Sequence, residues 1–273
     1  MGNKLACIFI LLCAFNSFAQ KRYMVFANGY LGPHNDAYTT QNLVTQKAPG
    51  YWYNIDDTII QRFQPIVPYY ISGHHPISTS AHRSKGRAAA SYLLTRFCFF
   101  RSKKGFGLNT KPNPEGYAIR YKNGQLCGQN FLQMVKDSFP KTTKKDTLDL
   151  VCHSMGYVYS VGFLSALDTH FVLGKILILA PEMPTMGDFN WNSCMEVWQY
   201  GSNLGEDKAD FICFQDGIAP QAPVNHLDDL MPGKGGRVFV PRICRRGFIK
   251  SHHLQDFLWF YDLKPNEKGY FTR

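Results

Sequence analysis

Asp146 to Ala166 reads DTLDLVCHSMGYVYSVGFLSA, and this stretch decides the fold that the sequence predicts. Its first part, 148–152, is a short and mostly apolar run of strand length. Its last part, 157–167, has apolar residues roughly on one side, which is typical of a helix. Between them lies Cys-His-Ser-Met-Gly at 152–156. The sequence therefore predicts a strand, a sharp turn with Ser154 at its apex, and a helix.

This turn resembles the nucleophile elbow of the α/β-hydrolases, which is written G-x-S-x-G. In that family the serine takes a strained backbone conformation, so that its Oγ stands clear at the sheet edge. Residues two before and two after the serine must be small, because strand and helix nearly touch there. Gly156 fits, whereas Cys152 departs from the usual glycine but is small enough to be accommodated. The same residues also allow a buried strand that leads into a helix with an ordinary Ser154, flanked by His153.

A second segment of the family pattern lies near the start of the chain. Residues 22–27 predict a strand, which is followed by Asn28-Gly29-Tyr30. In the family, the first central strand ends in a similar turn, and the backbone N–H after the glycine forms half of the oxyanion hole. The resemblance therefore implies the amides of Tyr30 and Met155 as the two donors. Asn28 stands where histidine is common, and a simple glycine turn is the alternative.

The acid and the base of a triad are implied by two later segments. A predicted strand at 210–214 ends just before Asp216, in a turn that resembles the acid loop of the family. Glu182, after another predicted strand, is the second choice for the acid. A histidine pair precedes the final helix, and the local pattern favours His252 over its alternative, His253. Serine, acid and histidine then follow the family's order along the chain.

The remaining predicted elements complete the fold class. The resemblance implies one α/β-hydrolase domain over 20–273, with a mostly parallel central sheet, helices on both faces and a minimal N-terminus. Residues 101–121 are basic and rich in Gly, Pro and Asn, which predicts an irregular insertion or lid. Residues 190–203 predict a helix and a loop. Further predicted strands are 65–71, 175–180 and 238–240, and further predicted helices are 51–63, 129–139 and 257–261.

Residues 1–19 predict a secretory signal peptide. A short basic start with Lys4 precedes an apolar run at 5–14, and Ser17 and Ala19 supply the small residues that a signal peptidase reads. The sequence therefore predicts cleavage between Ala19 and Gln20 and a secreted or periplasmic protein. An uncleaved anchor is the alternative, although the apolar run is short for a bilayer span.

Composition bounds the partners. The formal net charge is +10 at pH 7, but no nucleic-acid-binding motif is present, so no nucleic-acid partner is expected. A solvated basic surface is the favoured interpretation, and peripheral contact with an anionic membrane is the weaker one. The chain has eight cysteines, of which Cys7 and Cys13 lie in the predicted leader. The other six permit disulfides in an exported chain; they are Cys98, Cys127, Cys152, Cys194, Cys213 and Cys244.

Metal and cofactor sites are not expected from the sequence. His74, His75 and His82 lie in a polar loop that follows a predicted strand, where open α/β sheets bind ligands. No carboxylate or cysteine stands at ligand spacing beside them, so surface histidines are the favoured interpretation. Cys152 and Cys213 are interpreted as small core residues.

The resemblance implies acyl transfer to Ser154. The histidine would take the serine proton, Ser154 would attack a carbonyl, and water would then release the acyl group. The expected partner is a small-molecule ester or lipid, and no cofactor is required. The alternative is a non-catalytic secreted binding protein on an α/β-hydrolase scaffold, which the departures at Cys152 and Asn28 favour.

Overall fold

The structure, a computed structural model, describes residues 20–29, 51–73, 114–201, 223–239 and 254–271. In these ranges six strands form one sheet, and every neighbouring pair is parallel, which confirms an α/β fold. The strands are β1 Arg22–Asn28, β2 Pro68–Ser72, β3 Thr147–His153, β4 Val172–Leu179, β5 Glu196–Gly201 and β6 Gly235–Phe239. The helices are α1 Ile55–Phe63, α2 Pro114–Ser138 and α3 Gly156–Ser165, with 3₁₀ helices at Trp191–Ser193 and Leu254–Asp262.

The strand order contains one reversal, and this reversal positions the site. The order is β2-β1-β3-β4-β5-β6, so the chain moves from β1 to β2 in one direction and then continues on the other side of β1. In open α/β sheets, ligands bind outside the carboxyl ends of the strands at such a switch point. Ala27 pairs with Cys152 across β1 and β3. The residues that follow them, Gly29 and Ser154, therefore leave the sheet side by side.

Alternate residues of the central strands enter two separate cores. In β1, Tyr23, Val25 and Ala27 belong to one buried cluster, and Met24 and Phe26 belong to the other. This alternation is the period-2 pattern of a strand that is covered on both faces. The first cluster includes residues of α2 and α3, and the second includes residues of α1 and the C-terminal 3₁₀ helix.

Helices α2 and α3 touch through glycines. A Cβ on Gly124 of α2 would lie 2.0 Å from the carbonyl oxygen of Tyr159, and a Cβ on Gly162 of α3 would lie 2.0 Å from that of Tyr121. The backbones can approach this closely only because both positions lack a side chain. Helix α3 is buried at every position from Gly156 to Leu164. A helix that is buried all round is central to its domain.

The prediction of an irregular insertion at 101–121 is wrong for its last part. Residues 114–121 are the first turns of α2, a 25-residue helix that begins at Pro114. Proline is favoured at the first helical position because its missing N–H has no partner there in any case. Residues 101–113 lie outside the described part of the chain.

The prediction of a helix and a loop at 190–203 is also wrong in part. A single 3₁₀ turn at Trp191–Ser193 is followed by β5, which pairs with β4 and β6. Val197 and Tyr200 are fully buried, and the equally buried Gln199 accepts a hydrogen bond from the Val224 amide at 2.9 Å. A satisfied buried glutamine interrupts the apolar pattern that identifies a strand by sequence. The predicted strand at 210–214 lies outside the described residues.

Charged side chains hold the amino-terminal halves of the strands together. Asp149 of β3 is fully buried and forms an ion pair with Arg22 of β1. Its Oδ1 also accepts a hydrogen bond from the Lys175 amide of β4 at 2.7 Å. Lys175 in turn pairs with Glu196 of β5 at 2.9 Å. Burial raises the pKa of Asp149, and Arg22 and Lys175 partly offset that effect. We call these four residues the amino-end network.

Candidate active site

Ser154 lies between β3 and α3 in a left-handed backbone conformation. Its φ is +57°, which is uncommon for a residue other than glycine and costs on the order of 1–3 kcal/mol. Backbone hydrogen bonds hold this conformation: the Ser154 N–H donates to the Leu179 carbonyl at 3.1 Å, and its carbonyl accepts from Tyr157 at 3.1 Å and from Glu182 at 3.0 Å. The strain that the sequence predicts for an elbow serine is therefore present at this residue.

Small residues surround Ser154 because three strand ends meet there. A Cβ on Gly156 would lie 2.4 Å from the Ala27 carbonyl oxygen, and a Cβ on Gly29 would lie 2.6 Å from the Ser154 Cβ. A Cβ on Gly73, just after β2, would lie 2.6 Å from the Gly156 Cα. All three contacts are shorter than side chains tolerate. The predicted requirement for a small residue at 156 thus has a direct structural cause, and Gly29 and Gly73 share it.

Cys152 is a core residue at the end of β3. It is 1% exposed and belongs to the core on the side of α2 and α3. Burial raises the pKa of its thiol to about 12, although a hydrogen bond with Ser160 opposes this shift. At neutral pH the thiol is therefore protonated and a poor nucleophile. The interpretation of Cys152 as a small core residue is confirmed. Cys127 and Cys194 are likewise buried with free thiols.

Tyr51 connects the turn after β1 to the residue before Ser154. Its hydroxyl oxygen accepts a hydrogen bond from the Gly29 amide and lies 2.6 Å from Nδ1 of His153. The tyrosine ring also packs edge-on against the His153 ring, with centroids 5.7 Å apart. Burial raises the pKa of Tyr51 far above its ordinary value, and the Glu182 carboxylate adds to this shift, so the phenol keeps its proton.

Asn28 fixes the same turn from its other side. Its side-chain amide donates to the Gly29 carbonyl at 2.9 Å and to the Ser72 hydroxyl at 3.3 Å. Asn28 and Ser72 are both 2% exposed and pair across β1 and β2. Asn28, which stands where the resemblance leads one to expect histidine, therefore supplies a buried side-chain amide that joins two strand ends.

Glu182 lies in a turn that packs against Ser154. Its backbone N–H donates a hydrogen bond to the Ser154 carbonyl, and the residue is only 1% exposed. The turn is strained, since Ala180 has a φ of +39° and Met183 a φ of +53°. Glu182 is thus a buried acidic residue close to the candidate nucleophile. Its role as the second choice for the acid stays a prediction.

Within the described residues, the structure brings together the elbow and the end of the first strand. Cys152, His153, Ser154, Met155 and Gly156 are all buried where β3 meets α3, and Met155 caps the helix. The other predicted site residues lie outside the described ranges, as does the polar histidine loop; they are Tyr30, Asp216, His252, His253, His74, His75 and His82. Their roles stay predictions.

The sequence analysis missed Tyr51 as a site residue. It assigned residue 51 only to the start of a helix, whereas α1 begins at Ile55 and Tyr51 lies in the turn before it. Its partner His153 is 102 residues away in the sequence. No local spacing signals such a contact. The one available signal is the position of an aromatic cluster, Tyr51-Trp52-Tyr53, between the first two predicted strands.

Among the described ranges, no cluster of three or more His, Cys, Asp or Glu side chains could hold a metal ion. None of the helices described is both long and apolar enough to cross a membrane.

No family model matches the chain, and no curated protein matches it either.

Proposed function

We propose that the chain is a serine hydrolase of the α/β-hydrolase type, with Ser154 as its nucleophile. The observation that carries this proposal is the left-handed conformation of Ser154 at the carboxyl end of β3, beside the switch point of the sheet. A strained polar residue in such a place is a functional candidate, because the surrounding contacts must maintain the strain. The six parallel strands and their single reversal support the same assignment.

The proposed reaction is acyl transfer. His252 or His253 removes the proton from Ser154, whose Oγ attacks the substrate carbonyl. The histidine then gives that proton to the departing alcohol as the ester C–O bond breaks, and water later hydrolyses the acyl-enzyme to release the acid and free Ser154. The amide of Met155, at the N-terminus of α3, stabilises the negative charge that develops on the carbonyl oxygen. We assign the second donor to the Tyr30 amide, because Tyr30 follows Gly29 directly and Gly29 adjoins Ser154.

Two acidic residues compete for the third place in the triad. Asp216 follows the chain order of the family and is the first choice. Glu182 is supported by its burial against the Ser154 backbone. The acid orients the histidine and stabilises its protonated form, so its loss lowers kcat by about 10⁴-fold. Comparing Asp216→Asn with Glu182→Gln therefore identifies which residue acts.

We further propose a small ester or lipid substrate and an exported protein. The support is the predicted leader at 1–19 and the aromatic content of 15%. The net charge of +10 also allows peripheral contact with an anionic surface, which would weaken steeply as salt is added. Hydrolysis of p-nitrophenyl esters of increasing chain length tests the substrate class.

The decisive experiment is labelling with a fluorophosphonate probe, followed by mass spectrometry of the adduct. We expect labelling at Ser154, loss of the label in Ser154→Ala, and unchanged labelling in Ser193→Ala, which alters an exposed serine of the 3₁₀ turn. Ser154→Ala should lower kcat by about 10⁶-fold. A folded protein, verified by circular dichroism, that takes up no label would instead support the binding protein on a hydrolase scaffold.

A further inference from the structure

We propose that Tyr51 is a positioning residue for the Ser154 site, because its hydroxyl group ties the turn after β1 to the elbow. The inference rests on the proposed function in one respect, namely that Ser154 is the nucleophile. It adds a residue that the elbow pattern does not contain. We infer that Tyr51 acts through its hydrogen bonds with Gly29 and His153.

The Tyr51 hydroxyl group lies beside both the glycine turn and the elbow. A Cβ on Gly29 would lie 2.8 Å from the Tyr51 Oη, 2.6 Å from the Ser154 Cβ and 2.9 Å from the His153 carbonyl oxygen. The phenol oxygen therefore fills the space where the β1 turn and the elbow meet. Its contact with His153 spans 102 positions of the chain.

The second step is the direction of the hydrogen bonds. The Gly29 N–H can only donate, so the phenol oxygen accepts from it. The phenol proton is retained, because burial raises the pKa of Tyr51. The 2.6 Å contact with Nδ1 of His153 fits either direction, since a phenol oxygen can accept two hydrogen bonds; we place the phenol proton on this contact, with Nδ1 as its acceptor. We therefore assign His153 the neutral tautomer that carries its proton on Nε2, with its ring held by Tyr51.

The third step is the consequence for the reaction. A relay from the Gly29 amide through the phenol to the His153 ring sets the separation between the glycine turn and the residue that precedes Ser154. Of the proposed oxyanion donors, Tyr30 follows Gly29 directly, and Met155 lies two residues beyond His153. A shift of about 1 Å between reacting groups can cost about 100-fold in rate. Releasing the relay should therefore lower kcat more than it changes KM.

The test compares Tyr51→Phe with Tyr53→Phe. The first variant keeps the ring contacts with Trp52 and His153 and deletes only the hydroxyl. We expect kcat, and the rate of fluorophosphonate labelling, to fall about 10- to 100-fold, with KM changed less than about threefold. Tyr53 is 46% exposed, and its variant should match the wild type. All rates are measured below the melting temperature of each variant.

A second pair of variants tests the acceptor. His153→Asn retains an oxygen that can accept from the phenol, whereas His153→Leu removes any acceptor while keeping bulk. We expect the asparagine variant to retain at least about tenfold more activity than the leucine variant. In nitrogen NMR of the wild type, His153 should show a protonated Nε2 and an unprotonated Nδ1, and the Nδ1 signal should shift in Tyr51→Phe.

The outcomes separate this inference from the proposed function. Tyr51→Phe with the wild-type kcat, or equal losses in the two His153 variants, would overturn the positioning role while leaving Ser154 as the nucleophile. If Ser154→Ala kept the activity of the wild type, the proposed function and this inference would both be overturned. A lowered kcat with a near-constant KM, accompanied by the tautomer shift, would support the role.

Discussion

The two ends of the sheet are built in opposite ways. At the amino ends of the strands, the amino-end network uses long charged side chains to join β1, β3, β4 and β5. At the carboxyl ends, glycines let backbone atoms touch, and Ser154 is held in a strained conformation. The amino end is joined by charged side chains that can adjust, whereas the carboxyl end adds to the side-chain links of Asn28 and Tyr51 direct backbone contacts that cannot.

This difference separates stability from function. A long side chain tolerates small movements of the strands that it joins, so the amino end can absorb changes elsewhere. A backbone contact has no such freedom, because an added methyl group must displace the main chain itself. The rigid end is the one that adjoins Ser154, where a proposed reaction requires accurate placement. Substitutions at the two ends should therefore produce different kinds of damage.

The largest effect on folding is expected at the amino end. Asp149→Ala leaves the Lys175 amide without its acceptor and Arg22 without its ion-pair partner, which should lower the free energy of unfolding by about 4 kcal/mol. Asp149→Asn keeps an acceptor oxygen and should lose less. Urea unfolding measures both values. A reduced labelling rate of Ser154 per folded molecule in Asp149→Ala would contradict the separation of stability and function between the two ends.

The same residue predicts a pH dependence. Burial raises the native pKa of Asp149 above its ordinary value of 3.8. In the pH window between 3.8 and the native pKa, the native state therefore binds more protons than the unfolded state. The contribution of this group is therefore complete below 3.8 and is lost as the pH rises through the native pKa. We expect the stability of the wild type relative to Asp149→Asn to decline over this window. A constant difference from pH 3 to pH 7 would contradict the direction of the shift.

A smaller loss of stability but a larger loss of reactivity is expected at the carboxyl end. Gly156→Ala places a methyl group against the Ala27 carbonyl and should lower the free energy of unfolding by about 3 kcal/mol. Labelling of Ser154 should fall about 100-fold or more, since the elbow must move. Gly233→Ala is a control for reactivity: a Cβ there meets nothing within 4 Å, but its φ of +84° strains an alanine, so this variant should lose some stability and keep the labelling of Ser154. Full reactivity in Gly156→Ala would show that the elbow is adaptable.

The smallest effect is expected at Cys152. Cys152→Ala removes one buried sulfur from the core and should cost about 1 kcal/mol. Labelling of Ser154 should be unchanged, since a thiol with a pKa of about 12 contributes no nucleophile at neutral pH. Iodoacetamide at pH 8 should modify this cysteine only after unfolding. A tenfold change in labelling would mean that the thiol takes part in the site.

Sequence reasoning succeeded where a local pattern determines structure. The apolar runs of β1, β3 and β4, and the turn at Ser154, were predicted because burial on both faces of a sheet requires such runs. It failed where a residue's role depends on a distant partner. The contacts of Gly124 and Gly128 in α2 with α3 could not be predicted, because their partners lie more than 30 residues away. The strand β5 was missed because the hydrogen bond that satisfies the buried Gln199 comes from Val224. Tyr51 could not be assigned for the same reason.

The pairing of β1 with β3 determines when, during folding, the surroundings of Ser154 are assembled. Lys21 and Asp146 are hydrogen-bonded across 125 positions, and closing a loop of this length costs about 4 kcal/mol in chain entropy. Gly29 meets Ser154 only after that closure. A nascent or misfolded chain therefore carries the serine but not its surroundings. If Ser154 is the nucleophile, its reactivity reports a completed sheet, and a fluorophosphonate adduct would count correctly folded molecules.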